Sequence, residues 1–391
     1  MSEKPKLLWH SNAPFSSTGY GNQTGLFTPP LAEHFDLAIS SFYGLSGARL
    51  RYGDITIYPG VEGDWGNQTL PMHAERFFGG LRDGLVVTLM DVWVLDPAVI
   101  RQMNVACWVP VDHDPAPPRV KAFFQHSQAV PIAMSRFGER MLAEFDPLYV
   151  PHGVDTEIYR PIPQAEARKV TRLPDDLFVV GMVAANKGNP SRKAFAESLL
   201  AFKAFHDRHP DSKLYLHCEI QGKVEGVNIP ALIEHCGLDS DAVLFADQYR
   251  VQFNPFSPET MAHVYSSMDV LLAASCGEGF GIPVLEAQAC GVPVIVSDFS
   301  AQPELCFAGW LVKTHPYFSP QHSWQVHPDI VDITDALNRA YAQRGRLGEK
   351  ARTGALAYDV TTVVAEHFLP ALEKVQSRYE KQEPVALEAA A

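Results

Sequence analysis

Short blocks of consecutive apolar residues punctuate the first half of the chain: KLLWH (6–10), DLAISSF (36–42), LVVTLM (85–90), VACWVPV (105–111) and AVPIAM (129–134). Blocks that are near-continuously apolar mark strands covered on both faces, and the segments between them are long enough for crossovers. A second series follows RPIPQAEARKVTRLPDD (160–176), with LFVVGMVAA, KLYLHCEI, AVLFA, DVLLAAS and VPVIVSD. Helical patterns separate these blocks. The clearest is RKAFAESLLAFKAFHDRH (192–209), where Phe195, Leu199, Phe202 and Phe205 recur at helical spacing. The pattern predicts an α/β chain of two doubly wound, Rossmann-like domains, 1–165 and 166–355, joined near 160–176. Residues 328–380 read as two helices, the second (356–380, containing TTVVAEHFLPALEKV) returning to the first domain, and the final VALEAAA reads as an unstructured end.

A length of 391 residues suits two domains of ordinary size. The net charge of −13 argues against a general affinity for nucleic-acid backbones or anionic membranes. No apolar run reaches the length of a membrane span, KPKLLWHSN is too short for a signal core, and the six cysteines form no CxxC pair. A cytoplasmic protein with reduced, mostly buried thiols is expected.

The chemistry concentrates in SCGEGFGIPVLEAQACGVPVIVSD (275–298). DVLLAAS supplies a strand, Pro283 suits the first turn of a helix, Gly291 suits its end, and VPVIVSD is the next strand. The loop CGEGFGIP therefore sits at the carboxyl edge of a parallel sheet, beside the exposed amides of a helix N-terminus, where a phosphate fits. Gly279 and Gly281 permit close backbone approach. Glu278 and Glu286, eight positions apart, can accept hydrogen bonds from hydroxyl pairs, one from a ribose and one from a sugar beyond the phosphates. Arg192 and Lys193 sit where a loop enters a helix, an end that disfavours cations unless an anion sits there, so they read as phosphate-binding cations, with two solvated helix-start residues as the alternative.

EGFGIPVLEAQACGVPVI resembles the EX7E signature of family 4 retaining glycosyltransferases, which have the GT-B fold of two Rossmann-like domains facing a central cleft. PHGVDTEIYRP (151–161) and GMVAANKGNPSRKAFAESLLAF are similar to further segments of that family. The resemblance is close over most of 150–310 and loose over the first 150 residues. It implies a nucleotide-sugar donor (UDP-, GDP- or ADP-sugar), an acceptor hydroxyl, retention at the anomeric carbon, and Glu278, Arg192 and Lys193 as catalytic residues. It also implies donor contacts from Glu286 and from the loop residues Gly279, Phe280 and Gly281. The loop NKGNPSRK is longer than the family's, so Lys187 competes with Lys193 for the lysine role. With Arg and Lys present and no metal-binding motif, no metal is expected.

In the first domain, Gly19 and Gly21 of SNAPFSSTGYGNQTG follow the first strand, where the family's loop faces the donor diphosphate. His113 of VACWVPVDHDP lies just beyond a buried strand, and two readings stand: a catalytic or sugar-positioning histidine, or a structural one satisfied by Asp112 or Asp114. Tyr249 and Arg250 are candidates for the border of a base pocket. LRYGDITIYPGVEGDWGNQ (50–68), rich in glycine and aromatics, is a candidate acceptor-side lining or an ordinary connection. The rival functions are a GT-B-like nucleotide-sugar epimerase, which needs no acceptor, and a non-catalytic nucleotide-sugar-binding protein. The acceptor itself is not legible.

Overall fold

The computed structural model describes residues 4–223, 225–253 and 256–381; the VALEAAA stretch lies outside them. The chain folds into two compact units. One comprises 4–110, 118–152 and 360–381, the other Val111–Pro117 and Gly153–Asp359. These divisions fall at 152/153 and 359/360, where the sequence places them at 165/166 and 355/356. The short Val111–Pro117 segment groups with the second unit although its neighbours on both sides belong to the first.

The first unit is built on eight strands: β1 (Lys6–Asn12), β2 (Asp36–Tyr43), β3 (Leu50–Tyr52), β4 (Ile55–Tyr58), β5 (Leu85–Leu89), β6 (Val105–Val109), β7 (Val130–Ala133) and β8 (Leu148–Tyr149). Their order is β3-β4-β2-β1-β5-β6-β7-β8, parallel except for the β3–β4 edge hairpin. β5 and β6 are buried at every position, as strands covered on both faces must be. The core holds an aromatic knot in which Trp108 meets Trp9, Phe27 and Phe368 at ring separations of 6.0, 5.1 and 5.1 Å. Phe368 closes a π-helical turn (Val364–Phe368) that leads into the helix Leu369–Glu380. That helix is tied down at its end: the Val105 N–H donates to Tyr379 Oη, which donates to the Val105 carbonyl.

The second unit carries β9 (Phe178–Val183), β10 (Ser212–His217), β11 (Val243–Phe245), β12 (Val270–Ala273), β13 (Val294–Ser297) and β14 (Gly309–Val312). The order β11-β10-β9-β12-β13-β14 is parallel throughout and changes direction between β9 and β12, the arrangement that opens a ligand crevice at the carboxyl edge. Phe195, Leu199, Phe202 and Phe205, all fully buried, pack the helix Phe195–His206 against this sheet. An antiparallel hairpin, β15 (Thr314–Phe318) and β16 (Trp324–Pro328), follows β14. No apolar block announces it, because β15 (THPYF) has no buried position and β16 (WQVHP) alternates polar and apolar residues. Residues 328–380 form the helices Ile330–Ala342 and Gly348–Ala355, a 3-10 turn Leu356–Tyr358 and a helical run from Val360 to Glu380, where the pattern predicts two helices. Among the described residues, no helix is long and apolar enough to cross a membrane.

Candidate functional site

At the carboxyl edge of the second unit's sheet, the loop after β9 and the loop after β12 meet. Cys276 N–H donates to the Arg192 carbonyl at 2.8 Å, which aligns the two loops backbone to backbone. Arg192 and Lys193 precede the helix Phe195–His206 by a turn in which Ala194 takes a left-handed conformation (φ +49°). That conformation costs a residue with a Cβ about 1 kcal/mol, and Ala194 is fully buried, so packing sustains it. Both cations reach one carboxylate. Lys193 Nζ lies 2.5 Å from Glu278 Oε1 and the Arg192 guanidinium 3.0 Å from Oε2, while Arg192 also donates to the Gly277 carbonyl. Burial works against the charge on Glu278, but Lys193 and Arg192 outweigh it and hold the carboxyl down at about 2.

The loop backbone is held as firmly as its side chains. Glu278 N–H donates to Ser300 Oγ at 2.8 Å, and Val326 N–H on β16 donates to the Cys276 carbonyl at 3.1 Å. Gly277 has no room for a side chain: a Cβ there would stand 2.4 Å from the Asp112 carbonyl oxygen. Gly281 adopts φ +122° at the cap of the helix Ile282–Ala289, a conformation that favours glycine. Gly279 and Phe280 are buried, Phe280 with its ring 6.1 Å from that of Tyr358.

Glu286 lies in a different environment from Glu278. Tyr265 Oη donates to Glu286 Oε2 at 2.6 Å, and the Tyr159 hydroxyl is a second donor. Burial pushes this carboxyl up to about 7, and the two hydroxyl donors only partly offset it. One glutamate is thus a paired anion and the other titrates near neutrality.

Asp112 and His113 join this site by way of the hairpin. His113 is 1% exposed, with Nδ1 2.6 Å from Asp112 Oδ1 and Nε2 2.9 Å from Ser319 Oγ. Asp114 and Trp324 exchange both backbone hydrogen bonds, and Ser323 Oγ donates to the Pro115 carbonyl. Asp112 Oδ2 stands 3.6 Å from the Arg192 guanidinium. His113 therefore has both ring nitrogens engaged, and its link to the cationic pair runs through Asp112.

The remaining candidates lie elsewhere. Gly19 and Gly21 belong to the first unit, at the start of the helix Gly19–Ala32, where the Gly21 amide donates to the capping Thr18 Oγ1 at 3.0 Å. A Cβ on Gly21 would stand 2.3 Å from the Ser16 carbonyl oxygen, so the glycine serves a tight backbone approach. Lys187 is exposed. Tyr249 is exposed with its ring 5.4 Å from Phe253, and Arg250 covers the Phe256 ring at 4.0 Å; its Nε has no hydrogen-bond partner among the described residues. Tyr159, Tyr265, Ser300 and Ser319 were not singled out from the sequence. Ser300 carries a weak signal, standing just past a buried strand at the carboxyl edge; the tyrosines and Ser319 carry none.

Comparison with known proteins gives this geometry a context. Residues 178–342 match the model of the family described as Glycosyl transferases group 1, which is less than half of the chain. A D-inositol 3-phosphate glycosyltransferase from Stackebrandtia nassauensis is 27% identical over 210 residues, 52% of this chain and 44% of the relative, so the chain spans about half the length of such relatives or less. Among solved structures, sucrose-phosphate synthase from Thermosynechococcus elongatus superposes with a TM-score of 0.72 at 18% identity, covering 96% of this chain and 100% of that one. The Anabaena protein HepE in complex with UDP and glucose gives 0.68 at 14% identity, covering 95% and 100%. The chain has the two-domain α/β fold with parallel sheets of the GT-B glycosyltransferases.

Proposed function

We propose that the protein transfers a sugar from a nucleoside-diphosphate sugar to an acceptor hydroxyl, with retention at the anomeric carbon and without a metal ion. The observation that carries this reading is the convergence of Arg192 and Lys193 on Glu278 at a glycine loop on the carboxyl edge of the sheet. Two cations held beside a helix N-terminus suit a diphosphate, which would take over the partners that Glu278 now holds. Glu278 would then be released to accept hydrogen bonds from the transferred sugar. The bond from the anomeric carbon to the leaving phosphate oxygen breaks, the acceptor oxygen bonds to that carbon from the same face, and the departing phosphate takes the acceptor's proton. Arg192 and Lys193 stabilise the negative charge that grows on the leaving group. Asp112 and His113 act by position, holding Arg192 and the Gly277 backbone in place.

A panel of UDP-, GDP-, ADP- and dTDP-sugars, incubated with the protein and EDTA and followed by chromatography, tests the reading. UDP-sugars come first because HepE was crystallised with UDP and glucose. Slow release of one nucleoside diphosphate without acceptor is the expected result. A protein that neither binds nor consumes any of them is not a glycosyltransferase of this kind.

A second test follows from Glu286, whose role in this reading is to accept the ribose hydroxyls as a carboxylate. Its carboxyl is raised to about 7, so it is protonated below neutrality and the anion dominates above it. Donor affinity is therefore expected to rise with pH through about 7 and then level off, and Glu286→Gln should flatten the profile. Isothermal titration across pH 5.5 to 8.5, a window of about 1.5 units on either side of that midpoint, reads this directly. A wild-type profile without that rise removes Glu286 from ribose recognition.

A further inference from the structure

Four loops follow the carboxyl ends of β1, β2, β4 and β5 in the first unit: residues 13–18, 44–49, 59–68 and 90–96. They are tied to one another and to the sheet. Ala13 N–H donates to the Tyr43 carbonyl at 2.8 Å, Gly60 N–H to the Leu45 carbonyl at 3.0 Å, and Asn67 Nδ2 to the Val94 carbonyl at 3.0 Å. Asp96 N–H donates to Asn67 Oδ1 at 2.7 Å, and Tyr20 Oη reaches Asp91 at 3.4 Å. Three of the loops and the end of β2 present aromatic rings to solvent: Phe15, Tyr43, Trp65 and Trp93 are between 43% and 57% exposed.

Trp65 is held in place by unusual means. Its backbone is left-handed (φ +55°), an outlier for a bulky residue, and its carbonyl oxygen lies 3.0 Å from Nε2 of the fully buried His10. Burial pushes His10 down to about 4, so the ring is neutral with one N–H. Its two nitrogens each face a carbonyl, Nε2 that of Trp65 and Nδ1 that of Ser40 at 3.0 Å, and Ser40 Oγ lies 3.0 Å from Nδ1 and 2.9 Å from His73 Nδ1. Gly66 makes the approach possible, since a Cβ there would stand 2.3 Å from the His10 ring. Phe42 supports the Trp65 ring from 5.8 Å. Buried polar machinery thus holds an exposed tryptophan in a strained conformation, the pattern of a ligand platform.

Charge selects the occupant. Across these four loops stand Glu62, Asp64, Asp91 and Asp96 against one cation, Arg49. Arg49 stands at the far end of its loop, and the next cation, Arg51 on the edge hairpin, pairs with Asp54. A phosphorylated or otherwise polyanionic ligand would meet four carboxylates and one arginine here, a net like charge. Exposed aromatic faces interleaved with carboxylates, amides and a tyrosine hydroxyl suit a ring that is apolar on its face and hydroxylated at its edge. We infer that these loops bind a neutral saccharide as the acceptor, its pyranose faces stacked on Trp65 and Trp93. This deepens the proposed function and rests on it.

The test uses the full chain and tryptophan fluorescence together with ligand-observed NMR. The probes are maltotetraose, cellotetraose and chitotetraose, set against glucose 6-phosphate and a single-stranded oligodeoxynucleotide. At least one neutral tetrasaccharide should bind, with Trp65→Ala and Trp93→Ala each weakening it about tenfold. Trp93→Tyr should retain most of the affinity, and Met72→Ala, an exposed apolar residue on the Thr69–Phe78 helix, controls for loss of surface area. Tighter binding of glucose 6-phosphate or of the oligonucleotide overturns the inference, as does equal binding by the alanine variants or no binding of any neutral glycan. Nucleoside-diphosphate binding by the wild-type protein is measured separately, so failure of the donor reading and failure of the acceptor inference give different results.

Discussion

Arg192→Ala is expected to lower the rate of sugar transfer about a hundredfold, equivalent to about 3 kcal/mol of lost transition-state stabilisation. In the proposed function the guanidinium would have two tasks, one on the leaving diphosphate and one on the loop, where it donates to the Gly277 carbonyl and to Glu278. Loss of the first task lowers kcat; loss of the second raises KM for the donor. Lys193→Ala should fall in the same range, since its ammonium is the other partner of Glu278, at 2.5 Å. Lys187→Ala separates the two lysines that the sequence leaves in competition: Lys187 is exposed, and its removal should leave turnover within a factor of about two, as surface substitutions away from a site generally do. Steady-state kinetics on the donor identified from the panel decide between them. Turnover near the wild-type value in Arg192→Ala would take this residue out of the mechanism.

The largest loss of stability is expected at Asp269, far from the glycine loop in function but central to the second unit. Its buried carboxylate accepts from Arg168 at 2.8 Å, from the Val179 amide at 2.7 Å, from Arg344 at 2.8 Å and from Gln164 at 3.2 Å. Arg168 is itself almost wholly buried and also donates to the Ser267 and Asp175 carbonyls, so its guanidinium holds three chain segments together. Asp269→Ala would leave that charge without its anion and the Val179 amide without its acceptor, a loss of about 3 to 5 kcal/mol for a buried pair broken on one side. Urea denaturation followed by circular dichroism should show the transition of the second unit moving to lower denaturant. A loss under about 1 kcal/mol, the scale of an exposed ion pair, would mean the network is slack.

Both predictions rest on contacts between distant parts of the chain, and the sequence discloses such contacts unevenly. It carries the strands and crossovers, because doubly covered strands must be apolar at successive positions, and β1, β2, β5, β6, β7, β9, β10, β12 and β13 all fall on blocks of that kind. The glycine loop and its place after a buried strand are equally legible, since the turn and the helix start each demand particular residues, Gly281 and Pro283 among them. The tertiary structure decides how the charged and polar residues are used. Glu278 and Glu286 look alike in sequence, yet one is set beside two cations and the other between two tyrosines, so one stays an anion and the other titrates near 7. His113 bonds to Ser319 across 206 residues, and the Val111–Pro117 segment leaves its sequence neighbours to join a hairpin that no apolar block predicts. Periodicity reports which face of an element is buried. The identity of the groups across that face depends on how remote segments dock, and docking fixes pKa values, partners and roles.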